Sequence, residues 1–156
     1  MQLYFLRHGE AEDYSADDHN RALTTAGKDR LQIAAPVIRR LNLKLNHIYT
    51  SPRIRAVQTA QLVGRELGLE PQITELLNYG FNQVSLTELI AQHSDDDRVM
   101  LVGHEPTFSS TIAHITGGRI DMKRGGLARV DVPKGYLMSG VLVWLIAPRV
   151  FDNLGE

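Results

Sequence analysis

The chain has 156 residues, 43% of them hydrophobic, and its charges nearly balance, with 17 Lys and Arg against 18 Asp and Glu. Length and apolar content suit one compact domain over residues 1–156, and the balance offers no basic stripe, so no nucleic-acid partner is expected. The lack of cysteine excludes disulfides, zinc–thiolate sites and thiol catalysis.

In chain order, residues 2–6 (QLYFL) read as a first strand. Its apolar run is too short for a signal-peptide core and has no basic leader. No stretch approaches the roughly 18–20 apolar residues that span a bilayer. No membrane association is expected, and the cytoplasm is the expected compartment. Residues 7–23, charged and polar, read as a loop. A helix is expected to open at Thr24 or Thr25, either of which can act as N-cap, and to run through LQIAAPVIRRL with a kink at Pro36. HIYT (47–50) is a short strand. Ser51-Pro52 is expected to open the next helix, with Ser as cap and Pro at the first helical position, stopping at Gly68. A third helix is expected over 85–93. RVMLV (98–102) reads as a buried strand. Glu105-Pro106-Thr107 begins a helix that ends at Gly117-Gly118. Residues 127–132 and the apolar 137–146 segment read as a closing pair of strands, the second buried. The β-α-β-α order implies an α/β fold of three α/β/α layers around a mostly parallel sheet.

Three short clusters stand out on this map. Arg7-His8-Gly9 follows the first strand, Ser51-Pro52 with Arg55 follows the second, and Gly103-His104-Glu105 follows the 98–102 strand. Ligands of open α/β sheets bind outside the carboxyl ends of strands, so these residues are expected at one edge. Guanidinium groups bind phosphate oxygens bidentately and stay charged. One neutral imidazole can attack phosphorus, and a second can donate to an equatorial oxygen as charge develops. The remaining histidines, His19, His47, His93 and His114, read as loop, strand-edge or helix-surface residues, and Asp95-Asp96-Asp97 as a solvated turn. No metal site and no cofactor are expected. Gly117-Gly118 and Gly125-Gly126 read as turns.

Leu6-Arg7-His8-Gly9-Glu10 resembles the RHG signature of the histidine phosphatase superfamily, which includes the phosphoglycerate mutases. The run from Ser51-Pro52 through Arg55-Ala56-Val57-Gln58-Thr59-Ala60 resembles its S-P-x-x-R-A-x-Q-T-A helix start, and Val102-Gly103-His104-Glu105-Pro106 its second-histidine motif. The resemblance implies a phosphoglycerate mutase-like fold, His8 as the phosphorylated nucleophile, and Arg7, Arg55 and His104 as the rest of the catalytic phosphate pocket. Arg53 falls at a variable position and takes no role. Arg21-Ala22-Leu23-Thr24-Thr25-Ala26-Gly27 resembles the R-P-L-T-x-x-G segment of SixA-type phosphohistidine phosphatases, with Ala22 in place of Pro. That narrower likeness makes Arg21 a substrate-binding candidate.

The implied function is a phosphohistidine phosphatase, its partner a phosphohistidine-bearing protein such as a histidine phosphotransfer domain. Only about 30 residues separate the Arg55 helix from the strand before His104, where family members acting on small esters carry a larger insertion, so an open site is expected. Glu75 lies where mutase-like relatives place their general acid and is the candidate acid; Glu10 and Glu12 are weaker ones. A working acid would favour a small phosphomonoesterase of the same superfamily. A phosphate-binding module without turnover is the reading from another class, opposed by the presence of all four pocket residues.

Overall fold

A computed structural model describes residues 1–133 and 136–155. Its sheet has six strands, β1 (Gln2–Arg7), β2 (His47–Thr50), β3 (Gln72–Ile73), β4 (Arg98–Gly103), β5 (Leu127–Asp131) and β6 (Val141–Ile146), in the order β3-β2-β4-β1-β5-β6. The β1–β4, β2–β4 and β2–β3 pairs are parallel, and β5 and β6 close the sheet antiparallel. Side chains of β1 alternate between two cores, as strand geometry requires. Leu3 and Phe5 enter one core with Leu86, Leu89, Phe108 and Ile112. Tyr4 and Leu6 enter the other with Ala34, Ile38, Ala56 and Phe151. Helices α1 (Thr25–Arg40), α2 (Ile54–Leu67) and α5 (Pro148–Leu154) therefore cover one face, and α3 (Gln83–Ile90) and α4 (Thr107–Thr116) the other. This is the expected three-layer arrangement, and it sets a row of strand ends at one edge. No helix among the described residues is long and apolar enough to cross a membrane.

Local chemistry explains most boundaries. Thr24 caps α1, its hydroxyl accepting from the Gly27 N–H at 2.9 Å, and the helix continues through Pro36. Three expectations change. Ser51 is not the cap of α2: the helix begins at Ile54 with Arg53 at the cap position, because the Ser51 hydroxyl is engaged by the Arg53 N–H and by His104. Helix α3 starts earlier and ends earlier than 85–93, because the Asn82 side chain accepts from the Val84 and Ser85 N–H groups and sets its start. The 137–146 segment is not one buried strand. Leu137–Ser139 makes a 3₁₀ turn, the Gly140 N–H bonds to the Ile115 carbonyl, and β6 is an edge strand with Val141 59% exposed. Helix α5 has no counterpart in the sequence reading. Pro148 opens it and the buried Phe151 anchors it.

Candidate active site

Register places the site. Arg7, the last residue of β1, pairs with Gly103, the last of β4, and Thr50 of β2 pairs with Val102. The residues that follow, His8, Ser51 and His104, emerge side by side at the carboxyl edge. Backbone bonds hold these exits: the His8 N–H donates to the Gly103 carbonyl and the Ser51 N–H to the Val102 carbonyl. The Gly125 N–H donates to the Arg7 and His8 carbonyls. Gly125 has φ 83°, a left-handed conformation that suits glycine, so this turn is a brace beneath the site.

The site is a cavity of about 240 Å³ whose lining includes Arg7, His8, Arg21, Arg55, Tyr79 and His104. Of the sequence-derived candidates, Arg7, His8, Arg21, Arg55, His104 and Glu12 reach it, and Glu75 and Glu10 do not. His8 is 7% exposed, and burial, reinforced by Arg55 and Arg7, pushes its pKa down to about 3 despite an opposing bond to the Gly9 carbonyl. It is neutral near pH 7. The carbonyl can only accept, so Nδ1 carries the proton in the 2.8 Å contact with the Gly9 oxygen, and Nε2 keeps its lone pair. The Arg55 Nε–H reaches that lone pair at 3.3 Å.

Arg55, in the first turn of α2, is 1% exposed. Its Nη1 donates to the Asp18 carbonyl at 2.9 Å and its Nη2 to the Tyr79 hydroxyl at 2.6 Å. The Gln58 and Thr59 side chains, one turn on, tie α2 to the first loop. The Thr59 hydroxyl accepts from the Gly9 N–H and the Gln58 carbonyl oxygen from the Leu23 N–H. Arg7 donates from Nη1 to the Met122 carbonyl at 2.8 Å.

Burial, then the neighbouring His8 and Arg55, push the pKa of His104 down to about 2. Its Nε2 lies 2.7 Å from the Ser51 hydroxyl. That hydroxyl already accepts from the Arg53 N–H at 3.3 Å, so it is free to donate to Nε2 and leave the imidazole proton on Nδ1. Among the described residues, two buried side-chain polar atoms have no hydrogen-bond partner, Arg7 Nε and His104 Nδ1. Both belong to residues lining this cavity, and both are donors.

Asp18 and Tyr79 are not signalled by the sequence, and Arg53, given no role there, packs beside the pocket. Asp18 comes from the 3₁₀ turn Asp18–Asn20 and accepts from Arg21, Arg53 and Tyr79 at 2.8, 2.6 and 2.6 Å. Burial alone would raise its pKa. The Tyr79 hydrogen bond and the Arg55 and Arg21 charges outweigh that and hold it at about 2, so it stays ionised. The Arg53 guanidinium stacks 3.6 Å from the Tyr79 ring, and that ring meets His104 edge-on. Arg53 therefore has a supporting position. Arg124 and Glu105 also line the cavity. No periodicity signals these residues; they come from loops that only the fold brings together.

Glu75 stands outside the cavity. Its exposed carboxylate accepts from the Asn78 side chain at 3.0 Å, in the turn before Tyr79. Glu12 lines the cavity, and Glu10 faces the Thr24 hydroxyl instead. Elsewhere, His47, His93 and Asp97 are not the separate surface residues expected. Tyr49 hydrogen-bonds His93, and the His93 side chain is 6% exposed.

A family profile described as histidine phosphatase superfamily (branch 1) matches residues 3–78. An uncharacterized protein of Picosynechococcus sp. is 36% identical over 139 residues, covering 81% of this chain and 82% of its own. The phosphohistidine phosphatase SixA of Escherichia coli K12 is 26% identical over 154 residues, covering 95% and 94%. The solved structure of the protein histidine phosphatase SixA complexed with tungstate superposes with a TM-score of 0.85 at 24% identity, covering 99% of both chains.

Proposed function

This chain belongs to the histidine phosphatase superfamily and is a SixA-like phosphatase, and on that premise we propose that it hydrolyses phosphohistidine on a signalling or phosphotransfer protein through a phospho-His8 intermediate. The observation that carries the reading is the pair of buried, unpartnered donors, Arg7 Nε and His104 Nδ1, in a cavity already lined by Arg55 and Arg21. Leaving a buried donor unpaired costs roughly 1–3 kcal/mol. A tetrahedral anion in the cavity supplies the acceptors and meets fixed positive charge.

The chemistry then follows from His8. Its Nε2 lone pair attacks phosphorus in line while Arg7, Arg55 and His104 hold the equatorial oxygens. The bond from phosphorus to the substrate imidazole breaks, and its electron pair leaves on that nitrogen. Water next attacks phosphorus, the bond to Nε2 breaks, inorganic phosphate departs, and His8 returns to the neutral tautomer that the Gly9 carbonyl selects. An imidazole protonated on its other nitrogen leaves as a neutral group and depends less on an enzyme acid than an alkoxide does. That suits this cavity: Glu75 stands outside it, the Glu105 carboxylate on its lining is engaged by Ser109, and Glu12 is the sequence-derived acid candidate that remains on the lining.

The test compares kcat/KM on a phosphorylated histidine phosphotransfer domain with kcat/KM on a simple phosphate ester. The phosphohistidine substrate is expected to be favoured by about a hundredfold, the low end of what a missing acid costs the ester. Faster turnover of the ester would make the protein a phosphomonoesterase. Phosphate binding with turnover of neither substrate would make it a binding module.

A further inference from the structure

At the opposite edge of the sheet, three side chains from separate stretches of chain converge. His47 opens β2, His93 follows α3, and Asp97 immediately precedes β4. One ligand atom of each lies within 4.8 Å of the others. We propose that His47, His93 and Asp97 form a binding site for a divalent zinc-class ion that clamps the 91–97 segment onto β2.

Donor chemistry selects the ion. Two imidazoles and one carboxylate match zinc, whereas magnesium and calcium prefer all-oxygen sets. Metal–ligand bonds of about 2.0–2.2 Å put neighbouring ligand atoms of a tetrahedral site about 3.3 Å apart. His93 Nδ1 and Asp97 Oδ2 stand 3.1 Å apart already. The His47 ring lies 4.5 Å from the His93 ring, centre to centre, so a small side-chain rotation completes the triad. Water would take the fourth position.

A second sphere is also in place. His93 Nε2 is 2.7 Å from the Tyr49 hydroxyl, to which Gln92 also donates at 3.4 Å. Without metal, the Nδ1 proton points at Asp97. On binding, that nitrogen gives its lone pair to the ion and the ring proton moves to Nε2, where it donates to the Tyr49 oxygen. Metal-bound histidines are usually oriented in this way. Ser94 holds Asp97 through its N–H and hydroxyl, at 3.3 and 3.1 Å.

The rival is a metal-free relay of Tyr49, His93 and Asp97, complete without His47. His47 is thus the discriminating residue, half-buried at the start of β2. The site is also remote from catalysis. The stretch from His47 to Ser51 spans about 13 Å of strand at roughly 3.3 Å per residue.

The experiment titrates zinc chloride into the full-length protein, stripped with EDTA and dialysed, by calorimetry with parallel melting curves. One equivalent is expected to bind at micromolar or tighter affinity, with the melting point rising by several degrees when zinc is about 100-fold above Kd. Magnesium should do neither. H47Q and D97N should each weaken zinc binding at least about tenfold, while H8N leaves it unchanged. Absence of zinc binding in the wild type, or binding undiminished in H47Q, overturns the site. Loss in H8N with retention in H47Q overturns it equally, by placing the ion on the His8–His104 pair.

Discussion

His8, the proposed nucleophile, is kept neutral by its surroundings, which also orient one lone pair. Its Nδ1 proton goes to the Gly9 carbonyl, and its depressed pKa, about 3, follows from burial and two guanidinium groups. His8→Ala is expected to abolish turnover and the acid-labile phosphoenzyme, checked by single-turnover assay and intact mass; substantial residual turnover would put the nucleophile elsewhere. Arg55→Ala should lower kcat/KM by a factor worth about 3 kcal/mol, on the order of a hundredfold or more, since it removes the donor that touches His8 and, in the proposed mechanism, a holder of the phosphoryl oxygens. Arg53→Ala should cost less, about tenfold, because Arg53 acts through Asp18, Asn78 and the Tyr79 ring. Equal losses would mean that Arg53 itself holds phosphate. Glu75→Gln should change kcat/KM by less than about threefold on phosphohistidine and ester alike, because no proton passes through an exposed carboxylate outside the cavity. A loss of about tenfold or more confined to the ester would restore Glu75 as an acid.

At the scale of elements, the site depends on how closely α1 and α2 approach the first loop. Gly27, in the first turn of α1, lies so near that an added Cβ would fall 2.2 Å from the Glu10 carbonyl oxygen. That atom is backbone, two residues past His8, so it cannot move without disturbing the loop. Gly27→Ala is expected to destabilise by about 1–3 kcal/mol, the range of overpacking, and also to lower kcat. Gly68 ends α2 with φ 71° and open space around it. Gly68→Ala should cost only about 1 kcal/mol of backbone strain and leave kcat intact. Denaturant melts with matched kinetics check both, and a kcat loss in Gly68→Ala alone would reverse the assignment. The Thr24 cap was legible because capping is a local contest between one hydroxyl and nearby N–H groups. The Ser51 cap was misread for a tertiary reason: His104, from β4, engages the same hydroxyl.

For the whole molecule, two buried neutral histidines make folding sensitive to acid. His8 and His104 have folded pKa values of about 3 and about 2, against 6.5 for a free imidazole. Between those limits the unfolded chain binds protons that the folded chain refuses, so stability falls as pH drops below about 6.5. Each pH unit inside the window costs up to about 1.4 kcal/mol per fully depressed imidazole. Above 6.5 both states hold neutral rings and this contribution is flat. Asp18, held at about 2, adds a loss only at lower pH, where it protonates. The melting temperature is expected to decline from pH 6.5 to 4, with a shallower slope in His8→Asn; equal slopes would mean that His8 is not buried in its neutral form. If the cavity takes a tetrahedral oxyanion as proposed, inorganic phosphate should raise the melting point, because a ligand of the folded state alone stabilises it.

Alternation of apolar runs, capping hydroxyls and terminating glycines put Arg7-His8, Arg55 and His104 at strand ends or helix starts. Those signals act over a few residues, so the sequence by itself determined the layers, the parallel core of the sheet and the four central side chains of the pocket. Its last apolar run could not show whether β6 lay inside the sheet or at its rim, because strand order is a long-range property. Nor could it show that Asp18 and Tyr79 meet Arg55 across 37 and 24 positions of chain. The same holds for Glu75 turning away from the cavity, and for His47, His93 and Asp97 meeting at the far edge. Each depends on which loops pack together and on the burial that results, and burial also sets which protonation state His8 and His104 carry. Tertiary structure alone decides those matters, because a side chain's charge and partners come from neighbours in space.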